Sequence, residues 1–241
     1  MSNILVFDAS SSWCSVALTC NGTIYSAAQL QPRKHAQLIM PMIDDLCQQA
    51  GIKPKQLDGI AFGKGPGSFT GLRIAISVAQ GLSLATDAKL YGISSLEALA
   101  WQAMKVKNSE YVVAIMNAHM GEVFYSAYQK TEQGLVVIVA DGLAKPEQVD
   151  LSALAGNKEL AAVPWLGAGD GFQFKEEMPQ VLSLIDTIDE EISSMAESMM
   201  DIALSAWQQD LFTAAELQQP VYLRETVAWK KLSEQPSLLK K

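Results

Sequence analysis

The sequence predicts a duplicated α/β fold made of two mixed-sheet halves, the second one reduced. Three observations lead there. A triplet of short alternating strands opens the chain, a second triplet with matching punctuation follows downstream, and strands alternate with helices between them.

The first triplet is residues 4–9, 13–20 and 23–30. Asn21-Gly22 separates its last two members, and Asn-Gly between alternating apolar runs signals a two-residue hairpin because both turn positions need positive φ. The small polar turn 10–12 joins the first two. The second triplet is residues 111–116, 122–129 and 135–140, with Gly134 in its last turn. Asp8 and Asn117 stand at the same place, each ending the first strand of its triplet ahead of a short polar turn. Between the triplets the pattern predicts a helix over 34–50, ended by Gly51 and Pro54 and kinked or split by Pro41. It then predicts a strand over 59–63, a helix over 71–85, a strand over 89–92 and a helix over 95–106. After the second triplet come a strand at 161–166, the glycine turn 167–171 and a helix over 194–212. Two facing βββαβα-like halves are the architecture of actin, Hsp70 and the sugar kinases, in which a ligand sits in the cleft between halves. The boundaries expected are 1–108 for the first half and 109–214 for the second, with 215–241 packing back on the first.

Composition narrows the function classes. With 241 residues, 49% of them hydrophobic, the chain can bury one large core or two smaller ones sharing an interface. Asp8 breaks the N-terminal apolar run early, which fits neither a signal peptide nor an anchor, and the uncharged run 74–86 is shorter than the ~20 residues a spanning helix needs. The expectation is a cytoplasmic protein with no membrane contact. Cys14, Cys20 and Cys47 are odd in number and make no CxxC pair, which predicts reduced thiols and no bridges. A net charge of −8 argues against independent RNA binding, since phosphate affinity comes from clustered Lys and Arg. Only three arginines, Arg33, Arg73 and Arg224, occur among 18 basic residues. Either they serve bidentate contacts that lysine cannot make, or a lysine-biased composition left them by chance.

The most specific segment is GKGPGSFTGLRIAISVAQG, residues 63–81. Gly65, Pro66 and Gly67 form a tight turn, Ser68 or Thr70 can cap the helix that follows, and free N–H groups there could hold an anion. It is not a Walker A loop, because the Gly-Lys-Ser/Thr that serves phosphate and magnesium is missing. This segment closely resembles the GPGSFTGLR signature of the TsaB (YeaZ) family. PRKHAQLIMPMID (32–44), NAHMGEVFYSAY (117–128) and PVYLRETVAWKK (220–231) extend the resemblance over nearly the whole chain, most weakly over 131–219. All three arginines fall in matched segments.

The resemblance implies a pseudo-enzyme. It implies pairing with TsaD, a metal-dependent transferase of the same fold that puts a threonylcarbamoyl group on tRNA adenosine, together with the small ATPase TsaE. tRNA would be met only through that complex, and the chain alone would form a homodimer. TsaD-like enzymes hold their metal through HxxxH; here Ser95 and Leu99 stand where those ligands are expected. His35 and His119, the only histidines, have no ligand spacing, so no metal is expected and no catalytic residue is assigned. No intrinsic cofactor is expected, with ATP or ADP bound only in the complex. Asp8 and Ser10, with Asn117, would mark a vestigial cleft. Asp8 either serves magnesium, as in actin-like phosphotransferases, or caps its own turn. Asn117, a neutral amide, argues against phosphotransfer.

The helix over 71–85 is apolar almost all round, with Gly71, Ala75 and Ala79 as a small-residue stripe. It either packs only on its own sheet and a neighbouring helix, or forms a bundle with a partner's helices. The resemblance favours the bundle, built from Arg33, His35, Leu38, Ile39, Met42, Phe69, Leu72, Arg73, Ala75, Ile76 and Ala79. Residues 167–171 are either a nucleotide-loop remnant or a plain turn. Residues 229–241 carry four lysines and read as a solvated basic tail or an RNA contact. Competing functions are an actin-like small-molecule kinase or ATPase, and, weaker, a peptidase.

Overall fold

A computed structural model describes residues 2–132 and 134–224. The first sheet holds β1 (Ile4–Asp8), β2 (Trp13–Cys20), β3 (Thr23–Leu30), β4 (Gly59–Gly65) and β5 (Lys89–Ser94) in the order β3-β2-β1-β4-β5. The first three run antiparallel and the last two parallel to β1. The second sheet repeats this with β6 (Tyr111–His119), β7 (Glu122–Thr131), β8 (Gly134–Ala144), β9 (Leu166–Ala168) and β10 (Thr187–Asp189), in the order β8-β7-β6-β9-β10. Both sheets place the strand bearing Asp8 or Asn117 at the centre. The molecule is a duplicated actin-like fold.

Period-2 alternation explains the layering. On β1, Leu5 and Phe7 face a core shared with helices α1 (His35–Ala50) and α2 (Phe69–Thr86), while Ile4 and Val6 face α6 (Ala196–Gln208). Helix α3 (Ser95–Lys107) covers the inner face of the second sheet and packs on α6, where Trp101 Nε1 donates to Asp201 Oδ2 at 3.0 Å. The layers therefore run α1 and α2, sheet, α6 and α3, sheet. The outermost layer beyond the second sheet holds only the short helices α4 (Ser152–Ala155) and α5 (Pro179–Leu182) with 3₁₀ turns around Trp165 and Phe172, which is the reduction the sequence predicts.

Three expectations need correction, and one strand was not expected. Helix α1 runs unbroken through Pro41: both Pro41 and Gln37, whose carbonyl loses its helical donor, are exposed, so water can serve that carbonyl. The strand expected at 161–166 is β9, and it begins only at Leu166. It lies between β6 and β10, and a central strand cannot include Pro164, which has no N–H to donate. The three residues of β10 are too few to show a period. Helix α6 stops at Gln208, where Asp210 turns left-handed (φ 53°) and Thr213 bridges to Leu90. No helix among the described residues is long and apolar enough to cross a membrane.

Candidate functional site

A cleft of about 860 Å³ opens between the halves. One wall is the β1–β2 turn with the N-terminus of α2; the other carries Met116, Asn117, His119 and Asp170. Asp8 is 1% exposed behind the β1–β2 turn, and both its carboxylate oxygens accept hydrogen bonds. Oδ1 accepts from the Ser10 N–H at 2.9 Å, and Oδ2 accepts from the Ser10 and Ser194 hydroxyls, each at 3.0 Å. The Ser95 hydroxyl continues the chain, donating to Ser10 Oγ at 3.0 Å. A buried carboxylate that accepts three hydrogen bonds, two of them from its own turn, acts as a turn lock. Burial, aided by the Asp8 charge, pushes the neighbouring Cys14 thiol up to about 11.

Two N–H groups of the loop before α2 are already bonded within the fold. The Ser68 N–H is spent on the Ser10 carbonyl at 2.8 Å, and the Gly71 N–H on the Ser68 hydroxyl, the helix cap, at 3.3 Å. The glycines serve close approach. A Cβ on Gly67 would lie 2.6 Å from the Ser10 carbonyl oxygen, and one on Gly71 would overlap the Ala9 carbonyl. The signature loop thus seats α2 directly on the β1–β2 turn.

The second half repeats the Asp8 turn with an amide. Asn117 Oδ1 accepts from the His119 N–H at 2.8 Å, the same two-residue step as Asp8 to Ser10, and the Asn117 N–H donates to Asp170 Oδ1 at 2.9 Å. Both histidines, distant in sequence, line the cleft: His35 is buried with Nε2 3.2 Å from the Trp13 carbonyl, and His119 is exposed. Ser95 and Leu99 are both buried, Ser95 bonded to Ser10 and Leu99 on the cleft lining. Among the described residues no group of three or more His, Cys, Asp or Glu is placed to hold a metal ion.

Of the residues expected at a partner surface, Ile39, Met42, Ala75, Ile76 and Ala79 point into the chain's own core, and Leu72 is buried beside Gly65. In the single chain they are therefore inside and not on the surface. Arg33, Phe69 and Arg73 are exposed, Leu38 is half-buried, and the Arg73 guanidinium lies 3.8 Å over the Phe69 ring.

This geometry has close relatives. The family model described as TsaD, tRNA N6-adenosine threonylcarbamoyltransferase, matches residues 27–237. The tRNA threonylcarbamoyladenosine biosynthesis protein TsaB of Escherichia coli is 36% identical over 232 residues, 95% of this chain and 97% of that protein. The chain belongs to the TsaB family. The Haemophilus influenzae TsaB is 32% identical over 95% of this chain and 96% of its own. YeaZ from Pseudomonas aeruginosa superposes with a TM-score of 0.85 at 37% identity, covering 92% of this chain and all of that one.

The TsaB-family chain also has cleft residues that sequence reasoning missed. Ser194 reaches Asp8 from 186 positions away, and Asp170, Glu190 and Glu191 acidify the second wall. Only Asp170 carried a signal, because it follows β9 inside the 167–171 glycine run. That run is structural: Gly167 lies within β9, packed under the Phe172 ring, and Gly169 (φ 109°) adjoins the Ile115 carbonyl. The lysine-rich stretch 229–241 lies outside the described residues.

Proposed function

We propose that this chain is the non-catalytic partner subunit in tRNA threonylcarbamoyladenosine formation. It pairs with a TsaD-type metal-dependent transferase, activates it, and joins a TsaE-type ATPase in completing the surface that receives tRNA. It works in the cytoplasm, has no cofactor of its own, holds ATP or ADP only in the complex, and forms a homodimer when alone. The observation that carries this reading is the closed Asp8 turn. Its three donors hold the buried carboxylate in the turn, and its counterpart Asn117 is an amide engaged in its own turn. The names of the TsaB relatives supply the pathway, and the net charge of −8 supports tRNA contact through a partner.

The partner face is the outer side of α1 and α2. Arg33, Leu38, Phe69 and Arg73 make the contacts there, and the buried Ile39, Met42, Leu72, Ala75, Ile76 and Ala79 hold the two helices in place beneath them. His35 anchors the start of α1 on the Trp13 carbonyl. Arginine stacked on an exposed aromatic ring suits an interface anchor.

The deciding experiment mixes this protein with its cognate TsaD-type subunit, weighs the complex by light scattering, and measures threonylcarbamoyl transfer to tRNA with each component left out. A one-to-one complex, with transfer that needs this chain and tolerates Asp8→Asn, supports the reading. No complex, or transfer by this chain alone, overturns it. The open cleft favours one alternative, a small-molecule kinase or ATPase of the actin-like fold, which predicts ATP turnover by the isolated chain.

A further inference from the structure

After α6 the chain returns to the first sheet at Thr213, then crosses to the second sheet in five residues, 220–224. The first part is fixed to the first half. The Val221 N–H donates to the Lys64 carbonyl at 2.7 Å, and the Tyr222 ring lies 5.3 Å from Phe69, with Arg73 Nε 3.4 Å from the Tyr222 hydroxyl. Gly65 lets this segment lie close, since a Cβ there would come within 2.7 Å of the Val221 carbonyl oxygen. The second part is fixed to the second half. Leu223 packs against the core of α3 and the second sheet, and the Arg224 guanidinium donates to the Ala118 and His119 carbonyls at 3.2 and 3.4 Å and pairs with Glu122.

The turn that Arg224 grips is unusual. His119 and Met120 both have left-handed backbones, φ 60° and 57°, which non-glycine residues adopt at a cost. Nη2 meets the two carbonyls and the carboxylate while Nη1 lies 3.4 Å from Met120 Sδ, so the planar guanidinium spans the turn with both terminal nitrogens in a way a lysine point charge cannot. His119 and Asn117 line one wall of the cleft, while the N-terminus of α2, which Tyr222 touches through Phe69, forms the other.

We propose that residues 220–224 are a latch that fixes the opening of the cleft by tying the α2 entry of the first half to the β6–β7 turn of the second. It does not depend on which partner the chain meets. With Arg224 docked the two walls move as one body; with Arg224 released the second sheet can swing on its remaining connections through α3 and α6. Arginine at 224 is then needed for its fork, which accounts for one of the three arginines in a lysine-rich chain.

The test uses the full chain with spin labels on cysteines introduced at the exposed positions Ser12, in the first half, and Gln173, in the second; the three native cysteines are buried. Distance distributions by electron–electron double resonance are compared for the parent, Arg224→Ala, Arg224→Lys, and a control, Lys89→Ala, which removes an exposed ion pair elsewhere. Arg224→Ala and Arg224→Lys should both broaden the distribution and add a longer population, and Lys89→Ala should leave it unchanged. Hydrogen exchange at the Val221 and His119 amides should rise at least about tenfold in Arg224→Ala, as expected for losing a charged hydrogen-bonded anchor. An unchanged distribution in folded Arg224→Ala overturns the proposal and leaves Arg224 as a local brace of its turn. Should Arg224→Ala not fold, Val221→Pro, which deletes the N–H that meets Lys64, carries the same comparison.

Discussion

Replacing Gly71 with alanine tests directly what the glycine-rich signature loop is for. The new Cβ would overlap the Ala9 carbonyl, a backbone atom in the turn that Asp8 locks, so the neighbour cannot simply rotate away. Helix α2 must retreat instead, straining the Ser68 N–H to Ser10 carbonyl bond. Overpacking against a rigid neighbour costs ~1–3 kcal/mol, a weakened hydrogen bond adds ~1, and alanine's better helix propensity returns somewhat under ~1. The net is a loss of about 1–3 kcal/mol, or roughly 2–10 °C in Tm for a chain of this size. Gly81 gives the control within the same helix. It is exposed, and a Cβ there meets nothing within 4 Å, so Gly81→Ala should stabilise by ~0.5–1 kcal/mol. Thermal and urea unfolding of both variants, followed by circular dichroism, separates the effects. Equal and favourable shifts at both positions would refute the close-approach argument and return the loop to a ligand-binding role.

Three further outcomes follow from the cleft and its surroundings. Asp8→Ala strands the Ser10 N–H and two buried hydroxyls and should cost about 2–4 kcal/mol, whereas Asp8→Asn keeps one acceptor oxygen for the Ser10 N–H and turns an NH2 donor toward hydroxyls that can rotate to accept, and should cost less in urea unfolding. Burial raises the Glu97 carboxyl above its ordinary 4.5, an effect that Lys64 only partly offsets. The folded state therefore holds that proton more tightly than the unfolded chain, and stability from this group falls as pH rises through the window between the two values. Glu97→Gln should raise the Tm at pH 8 and flatten the stability profile across that window; an unchanged profile would show that the carboxylate ionises there without penalty. With Cys14 pushed to about 11, only about one thiol in a thousand is ionised at pH 8, and Cys20 and Cys47 are buried. A disulfide reagent should find no fast-reacting thiol in the native protein and all three in denaturant; a rapid native equivalent would contradict the packing around these side chains.

The sequence by itself determined the fold class and the internal duplication. Strand and hairpin signals are local: Asn21-Gly22 needs only its own two positive φ values, and the alternation of 13–20 needs only a buried and an opposite face. The family was legible as well, because the loop 63–81 keeps its glycines for a steric reason that allows few substitutes. Non-local constraints were what the sequence could not give. That β9 starts after Pro164 depends on its being a central strand, a property of the finished sheet. That Ala75 faces inward depends on where α2 lands on β4, since an all-round apolar helix has no self-evident outer side. The turn around Asp8 is completed by Ser194, which lies 186 residues away and carries no motif. Arg224 could be singled out as a rare arginine, but its three acceptors lie in the β6–β7 turn about a hundred residues earlier, and only the folded chain brings it to them. Backbone propensity and periodicity act over a few residues and can be read from the chain, whereas the hydrogen bonds that close the cleft and tie its walls form between segments that only folding brings together.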